Sequence, residues 1–424
     1  MKVGFACQDI TPKAGTHKIG WLRDIIIKRI ADPLYARVAY FDNGRHHAVL
    51  IQLDTLCIRW TTTQAIRQLL NERYGIAGSH VLVAATHNHA GPAVANVGDV
   101  KRDDAYCDWL IAKVADAVGE AIARSCDAEL GFGRCFEFRL SHNRRTALKN
   151  GLSVTHAPGF GHPAASHIEG PIDPEVAVLA ARGRDGACLG LLLNFACHPT
   201  HHGGDDYASG GYPAALAEEL AQRGCPHTLF FNGACGNISP GNPYLGINCD
   251  AKEIGRRLAE DAAAIMDKLE YSEQDTIRAV NVTIEVPVRR LTQKELRGLT
   301  PGAQRFIDPA IYERLMPALA ERLRAMPYQP LQLQGIRVGE LCMVGIPAEI
   351  FTEYGLQIKE LAWPQNTIVI SHANGMVGYV PTREAFKRGG YETTLGTSRL
   401  APRAGDIIAK EAAEIVKCLR DWEL

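Results

Sequence analysis

Apolar runs bounded by polar residues, glycine or proline recur along the chain and predict β-strands. They lie at 34–41, 47–54, 80–85, 189–196, 227–232, 276–288, 333–346 and 366–372. Apolar positions recur at helical spacing in other segments, at 62–73, 104–125, 213–223, 248–269, 309–325, 349–362 and 402–420. This alternation of strands and helices predicts an α/β protein.

Two segments depart from this alternation. Residues 136–175 mix glycine, proline, histidine, serine and asparagine without a clear period. Long loops of this kind inside a compact domain are usually functional or disordered, and we expect a binding loop rather than a linker. Residues 292–330 are predicted to form a helical excursion between two strands. No repeat or linker divides the chain, so residues 1–424 are predicted to form a single domain.

The charge balance excludes some classes of partner. Lysine and arginine (46) nearly cancel aspartate and glutamate (47), and no long basic run is present. We therefore expect no nucleic-acid partner and a small molecule as ligand. No apolar run approaches the roughly 20 residues that span a bilayer, the start lacks the apolar core of a secretory signal, and the twelve cysteines are scattered singly. These features predict a cytoplasmic protein without stable membrane anchoring, and no pattern indicates an oligomeric state.

Histidines follow two of the predicted strands. The stretch "VLVAATHNHAGP" carries His87 and His89, and alternate residues of a strand point to the same face. The stretch "LGLLLNFACHPTHHGG" repeats the pattern with His198, followed by His201 and His202. Structural or solvated histidines are the alternative for one such pair. Two strands that end in imidazoles favour a metal site with His87 and His198 as ligands, because neutral imidazole is a common zinc ligand.

A carboxylate commonly completes a zinc site, and Glu349 in "CMVGIPAEIFTEYG" is the candidate. It follows an apolar strand and a proline, and it is predicted to open a helix. The alternative is a first-turn glutamate that complements the helix dipole.

Two further stretches contain candidate catalytic groups. In "FFNGACGNISPGNPY", glycines surround Ser239, and their free N–H groups could cradle an oxyanion; a turn that caps a helix is the alternative. In "SHANGMVGYVPTREAFKRGGYE", Tyr379 follows a glycine at the end of a strand and Tyr391 lies twelve residues later. Ordinary half-buried tyrosines are the alternative there.

Seven motifs in the same order resemble those of the neutral/alkaline ceramidases, a family of zinc-dependent amidases. They are "DITP" (9–12), "THNHAGP" (86–92), "HNRR" (142–145), "NFACHPT" (194–200), "GNISPG" (236–241), "PAEIFT" (347–352) and "GYVPTREAF" (378–386), the last followed by Tyr391. The resemblance implies a ceramidase catalytic-domain-like fold of mixed β-sheets flanked by helices.

The resemblance also implies a site. The matched zinc ligands, for one Zn²⁺ per chain, are His87, His198, Glu349 and Tyr379. The matched groups around the scissile carbonyl are His89, Arg144, Ser239 and Tyr391. In that family zinc activates water to attack an amide. The chain departs from the family pattern where Asn237 replaces an aspartate before the serine motif and where Ala348 replaces a glycine.

The activity implied is hydrolysis of a C–N amide bond by metal-activated water. The chain ends after the last motif, so we expect no counterpart of the family's C-terminal immunoglobulin-like domain and a small soluble amide rather than a membrane lipid as substrate. Two alternatives stay open. One is an esterase or lactonase that uses the same zinc chemistry, and the other is a catalytically silent metal-binding homologue, although all four matched ligand positions are filled.

Overall fold

The computed structural model describes residues 1–21, 23–156, 163–301 and 308–420. Its helices are α1 (Trp60–Tyr74), α2 (Asp104–Ala123), α3 (Gly211–Gln222), α4 (Ala251–Met266), α5 (Gln293–Leu296), α6 (Pro309–Ala325), α7 (Thr352–Ala362), α8 (Arg383–Arg388) and α9 (Ala404–Arg420). Among the residues described, no helix combines the length and the apolar character needed to cross a bilayer.

In chain order, the first strands are β1 (Lys2–Asp9), β2 (His17–Ile19), β3 (Ile25–Ile26), β4 (Arg29–Ile30), β5 (Tyr35–Asp42), β6 (His47–Leu53), β7 (Val81–Ala85), β8 (Gly91–Pro92), β9 (Cys126–Phe136), β10 (Ser141–Asn143), β11 (Arg145–Leu148), β12 (Ser153–Thr155) and β13 (Ala165–Ile168). The strands that follow are β14 (Glu175–Gly183), β15 (Cys188–Phe195), β16 (Tyr207–Ala208), β17 (Thr228–Asn232), β18 (Ile238–Pro240), β19 (Ile277–Pro287), β20 (Tyr328–Val338), β21 (Leu341–Gly345), β22 (Glu349–Ile350), β23 (Asn366–Ile370) and β24 (Tyr379–Val380).

The largest sheet has eight strands in the order β17-β15-β14-β9-β1-β5-β6-β7. It is mixed, because β15 with β17 and β6 with β7 pair in parallel whereas the neighbours between them are antiparallel. A second sheet has the order β19-β20-β21-β23. The predicted class, mixed sheets flanked by helices, is confirmed.

Alternation along the strands builds a layered core. On β5, Val38 and Tyr40 pack with helices α1 and α2, whereas Ala39 and Phe41 pack against the second sheet. Successive strand residues point to opposite faces, so a strand that is apolar throughout is covered on both sides. Helices α3 and α4 cover another part of the large sheet, and α7 and α9 cover the outer face of the second sheet.

The large sheet curls until its two edges meet. The backbone N–H of Phe230 on β17 donates to the Gln52 side chain on β6 at 3.1 Å. The segment after β23 closes the remaining gap, since Ser371 N–H donates to Asn232 on one edge at 2.9 Å and His372 accepts from Ala85 on the other at 3.2 Å. The curl explains how residues that follow strands at opposite ends of the sheet order come into contact.

Several sequence predictions need correction. The stretch 333–346 is two strands, β20 and β21, that turn at Gly339, where φ is 57°. The segment 136–175 is not irregular throughout, because β10 to β13 lie within it, while residues 157–162 are outside the described part. Strands β1, β9 and β14 were not predicted. Glycines and charged residues interrupt the apolar runs of β1 and β9, and the alanines of β14 favour helices over strands.

Candidate metal and active site

The first pair of histidines projects from a turn rather than from a strand. Strand β7 ends at Ala85, and His87 has φ of 67°, in the left-handed region that non-glycine residues rarely adopt. The turn is held by Asn88, whose side-chain oxygen accepts the Ala90 N–H at 2.8 Å. Strand alternation was therefore the wrong reason to expect His87 and His89 to converge. A residue held in this strained conformation at the end of a buried strand is typical of a functional site.

Three imidazoles converge through their Nε2 atoms. His87 Nε2 lies 3.0 Å from His198 Nε2 and 3.2 Å from His89 Nε2. Both His87 and His198 are buried. These three rings form a cluster of potential metal ligands.

Backbone carbonyls determine the tautomer of each ring. The Nδ1 atoms of His87, His89 and His198 lie 2.7–2.9 Å from the carbonyl oxygens of Leu56, Gly20 and Cys235, respectively. A carbonyl oxygen only accepts, so each Nδ1 carries the proton and Nε2 of the neutral ring is left with a bare lone pair. Three lone pairs that face one another at about 3 Å repel, unless a cation lies between them.

Glu349 and Tyr379 reach the same point from a two-stranded parallel sheet. The two residues are register partners on β22 and β24. Glu349 Oε2 lies 3.4 Å from the Nε2 atoms of both His87 and His198, and the Tyr379 hydroxyl lies 3.4 Å from His198 Nε2. Glu349 belongs to a strand, and α7 begins at Thr352, so it does not open the helix as predicted. The helix-dipole alternative for Glu349 loses its basis.

The electrostatics of the cluster suit a bound cation. Burial by itself raises the pKa of Glu349, but the neighbouring His87 and His198 outweigh it and hold that pKa well below its usual range. Burial, with Arg144 nearby, lowers the pKa of His198 to about 4. The pKa of His89 is also well below its usual range because the ring is buried beside His87. At neutral pH the cluster therefore offers an anionic carboxylate and at least two uncharged imidazoles.

A buried ion-pair network supports the tyrosine. Arg144 donates from Nη2 to the Tyr379 hydroxyl at 3.0 Å and to the Gly236 carbonyl at 2.9 Å, and from Nε to Glu392 at 2.8 Å. Glu392 also accepts from Arg145 and from the Thr155 hydroxyl, both at 2.7 Å. Burial disfavours the charged form of Glu392, yet the two arginines lower its pKa to about 2. The network fixes the guanidinium of Arg144 beside the cluster.

The other two predicted groups have different positions. The ring of Tyr391 packs edge-on against that of Tyr379, with centroids 5.7 Å apart, so it lies at the site. Ser239 pairs with His142 between β18 and β10, and its buried hydroxyl has no partner among the described residues. Ser239 is not among the described residues that line the cavity.

The three glycines around Ser239 do not offer free N–H groups. Gly233, Gly236 and Gly241 donate to the carbonyls of Phe195, Ile350 and Leu140 at 2.8–3.0 Å. These three amides bind the stretch to its neighbours, so they do not form the expected oxyanion cradle.

A cavity of about 1650 Å³ opens onto the cluster. Its wall includes His87, His89, His198, Glu349, Arg144, Tyr379 and Tyr391. Helix α6, which lies within the predicted helical excursion, supplies much of the apolar wall, and the exposed Trp21 and Trp60 also line the cavity.

Sequence reasoning missed two residues of the site. His372 stacks on His87 with ring centroids 4.0 Å apart, and its Nε2 lies 3.6 Å from the Cys235 sulfur. It ends the apolar stretch "NTIVISH", which is the signal used for the other histidines. Glu392 had only one sequence signal, its position next to Tyr391.

An added methyl group at Gly236 tests how tightly the Glu349 carboxylate is held. A β-carbon there would lie 2.5 Å from the Glu349 carbonyl oxygen and 2.9 Å from that of Ile350. Because both contacts are with backbone, Gly236→Ala must shift Glu349. We expect affinity for a divalent metal to fall by about 10- to 100-fold, as on loss of a group that orients a ligand. Titration of metal into the chelated protein measures this. Gly204→Ala, which adds a methyl group in open space, should bind like wild type; equal affinity of both variants would contradict the expectation.

Comparisons with known proteins give the following likenesses. No family model matches the chain. The neutral ceramidase of Pseudomonas aeruginosa is 23% identical over 459 residues, covering 89% of this chain but 64% of the relative. The crystal structure of neutral ceramidase from the same organism superposes with a TM-score of 0.79, 19% identity, and coverage of 99% of this chain and 74% of the other. A ceramidase complexed with C2 gives a TM-score of 0.76, 20% identity, and coverage of 99% and 75%. The chain is therefore similar in sequence to neutral ceramidase over most of its length, and it has the same fold.

Proposed function

We propose that the protein is a zinc-dependent hydrolase of an N-acyl amide, with one zinc ion per chain. The observation that carries the proposal is the convergence of three imidazole Nε2 atoms and one carboxylate oxygen on the wall of a cavity. The likeness to neutral ceramidase supports an amide as the bond that is cleaved.

The donor set fits zinc. Nitrogen and oxygen ligands lie about 2.0–2.2 Å from zinc in proteins, which in tetrahedral geometry separates the ligand atoms by about 3.4 Å. The Nε2 atoms of His87 and His198 and Oε2 of Glu349 are 3.0–3.4 Å apart. We assign these three residues as ligands, with Tyr379 as the fourth. When bound, zinc supplies Lewis acidity, which acidifies water and polarises a substrate carbonyl.

Arg144 and Tyr391 are suited to stabilise charge on the substrate carbonyl oxygen. Arg144 donates from Nε to Glu392 and from Nη2 to Gly236 and Tyr379. Its Nη1 donates to none of the described residues. Both Arg144 and Tyr391 line the cavity. Preorganised donors of this kind contribute about 10²- to 10³-fold to kcat.

His89 is suited to carry the proton. Its Nδ1–H is bound to the Gly20 carbonyl, so Nε2 is the atom that can accept. In hydrolysis, the water oxygen bonds to the carbonyl carbon, the C–N bond breaks, and one proton moves from water to the leaving nitrogen. We assign His89 Nε2 to hold that proton between the two steps.

Matched substrates and metal removal test the proposed function. Protein purified without chelator should contain close to one zinc per chain and hydrolyse an N-acyl amide faster than the ester with the same acyl chain. Treatment with 1,10-phenanthroline should abolish turnover, and added zinc should restore it. Full turnover by a metal-free preparation would contradict the metal dependence. Cleavage of the ester alone would instead favour the esterase alternative.

A further inference from the structure

Three arginines without side-chain partners line the cavity that holds the metal cluster. Arg59 and Arg322 are exposed near its opening, and Arg399 is half-buried in its wall. Among the described residues, none of the three side chains forms an ion pair or hydrogen bond. A cationic side chain that is shielded from solvent normally has an acceptor, so the position of Arg399 is unusual.

Arg399 is the innermost of the three. Its Nε is shielded from solvent and has no hydrogen-bond partner among the described residues. Burial, with Arg322 and Arg59 nearby, lowers its pKa to about 10, so the guanidinium remains charged at neutral pH. Its backbone is fixed, because its carbonyl accepts from Arg289 N–H at 3.0 Å.

Arg399 and the candidate metal ligands line the same cavity. The carbonyl of Thr397, two residues before Arg399, accepts the backbone N–H of Tyr379 at 3.0 Å. Two residues span at most about 7 Å, so the backbone of Arg399 lies near that of Tyr379.

The amino end of helix α1 adds to the positive potential. Arg59 is the N-cap residue, no side chain caps the helix, and its first turn contains no acidic residue. Arg59 and Trp60 both line the cavity. The unsatisfied N–H groups and the dipole of such a helix end favour an anion.

Among the described residues, each acidic side chain that lines the cavity already has other partners. Asp308 and Glu349 are the acidic residues among the described residues that line the cavity. Asp308 caps α6 and pairs with Arg23, and Glu349 faces the histidines. The chain as a whole has a formal net charge of −1, so a generally basic surface does not explain the arginines.

We propose that this cavity binds N-acyl amides that carry an anionic group, with Arg399 as its direct partner and Arg59 and Arg322 near the entrance. Apolar residues of α6 form the wall for the acyl chain, namely Ile311, Leu315, Met316, Leu319 and Leu323. Guanidinium groups pair well with carboxylate, sulfonate or phosphate oxygens, which share this chemistry. The inference rests on the proposed function, since it names the substrate class of the same site.

Two substrates with the same acyl chain isolate the charge. N-dodecanoylglycine carries a carboxylate where N-dodecanoylethanolamine carries a hydroxymethyl group. With the zinc-loaded enzyme, we expect kcat/KM to be about 10- to 100-fold higher for the glycine amide, in line with one buried charge-assisted hydrogen bond. Arg399→Gln should remove most of this preference, because it lowers kcat/KM for the glycine amide far more than for the ethanolamide. Arg322→Gln should reduce it less, and Arg184→Gln, which alters an exposed arginine paired with Asp127 outside the cavity, should not change it.

Calorimetric binding separates this inference from the proposed function. The full chain after chelator treatment should bind N-dodecanoylglycine more tightly than the ethanolamide, and Arg399→Gln should weaken only the former. Equal binding and equal turnover of both compounds would overturn the anion site and leave amide hydrolysis standing. Arg399-dependent binding without turnover of either amide by the zinc-loaded enzyme would support the anion site and contradict the proposed function. Arg322→Gln, at an exposed position, keeps the test valid if Arg399→Gln fails to fold.

Discussion

Replacement of His198 by alanine is expected to remove bound zinc and to lower amide hydrolysis by more than about 100-fold. Loss of a residue that merely orients a ligand costs about 10- to 100-fold in metal affinity or activity, so loss of a ligand should cost more. His198 lies in contact distance of the other candidate ligands, with Nε2 at 3.0 Å from His87 and 3.4 Å from both Glu349 and Tyr379. Zinc content by atomic absorption and kcat/KM on one amide measure both effects.

His202→Ala is the matched control, because it removes a histidine four residues later. That ring pairs with Asp205 and Tyr207, and it does not line the cavity among the described residues. The control should retain one zinc per chain and its activity. If His198→Ala kept its zinc and its turnover, the cluster would have no part in the mechanism.

Replacement of Glu392 by glutamine is expected to lower the free energy of unfolding by about 3–5 kcal/mol, because it leaves the buried Arg144 without an anion and leaves Arg145 with Glu169 alone. Glu392 and Arg145 are fully buried, and Arg144 is 4% exposed. The released Arg144 also ceases to fix Tyr379, so kcat should fall as well. Urea denaturation at pH 7 measures the stability, with a steady-state assay alongside.

The difference in stability should depend on pH in one direction. Paired Glu392 has a folded pKa lowered to about 2 from 4.5, so its contribution is fully present above pH 4.5 and is lost as the pH falls towards 2. Wild type and Glu392→Gln should therefore converge in stability on acidification. Glu414→Gln breaks an exposed helix pair with Lys417 and should unfold like wild type at every pH. A constant difference down to pH 3 would show that the carboxylate charge does not provide the stabilisation.

The pattern of apolar residues predicted most elements because burial and periodicity are local properties. Strands β6, β7, β15 and β17 lie where their apolar runs predicted. The curl of the large sheet was not predictable, since it depends on contacts such as Phe230 with Gln52 that link distant parts of the chain. The single-domain organisation and the cytoplasmic location stay predictions.

The site was predictable where polar groups follow buried strands. His87, His198 and Glu349 meet at one point, as the sequence indicated, and their roles as ligands stay predictions. The local reasons were partly wrong, because His87 lies in a turn held by Asn88 and Glu349 lies in a strand that pairs with β24. Backbone carbonyls that orient the rings leave no trace in a sequence, since every residue has one.

The most direct test is a crystal structure of the zinc-loaded protein with diffraction data collected on both sides of the zinc absorption edge. We expect a single anomalous peak within about 2.0–2.2 Å of Nε2 of His87, Nε2 of His198 and a carboxylate oxygen of Glu349. Absence of an anomalous peak among these three side chains, or a strong zinc peak elsewhere in the molecule, would contradict a metal centre at this cluster.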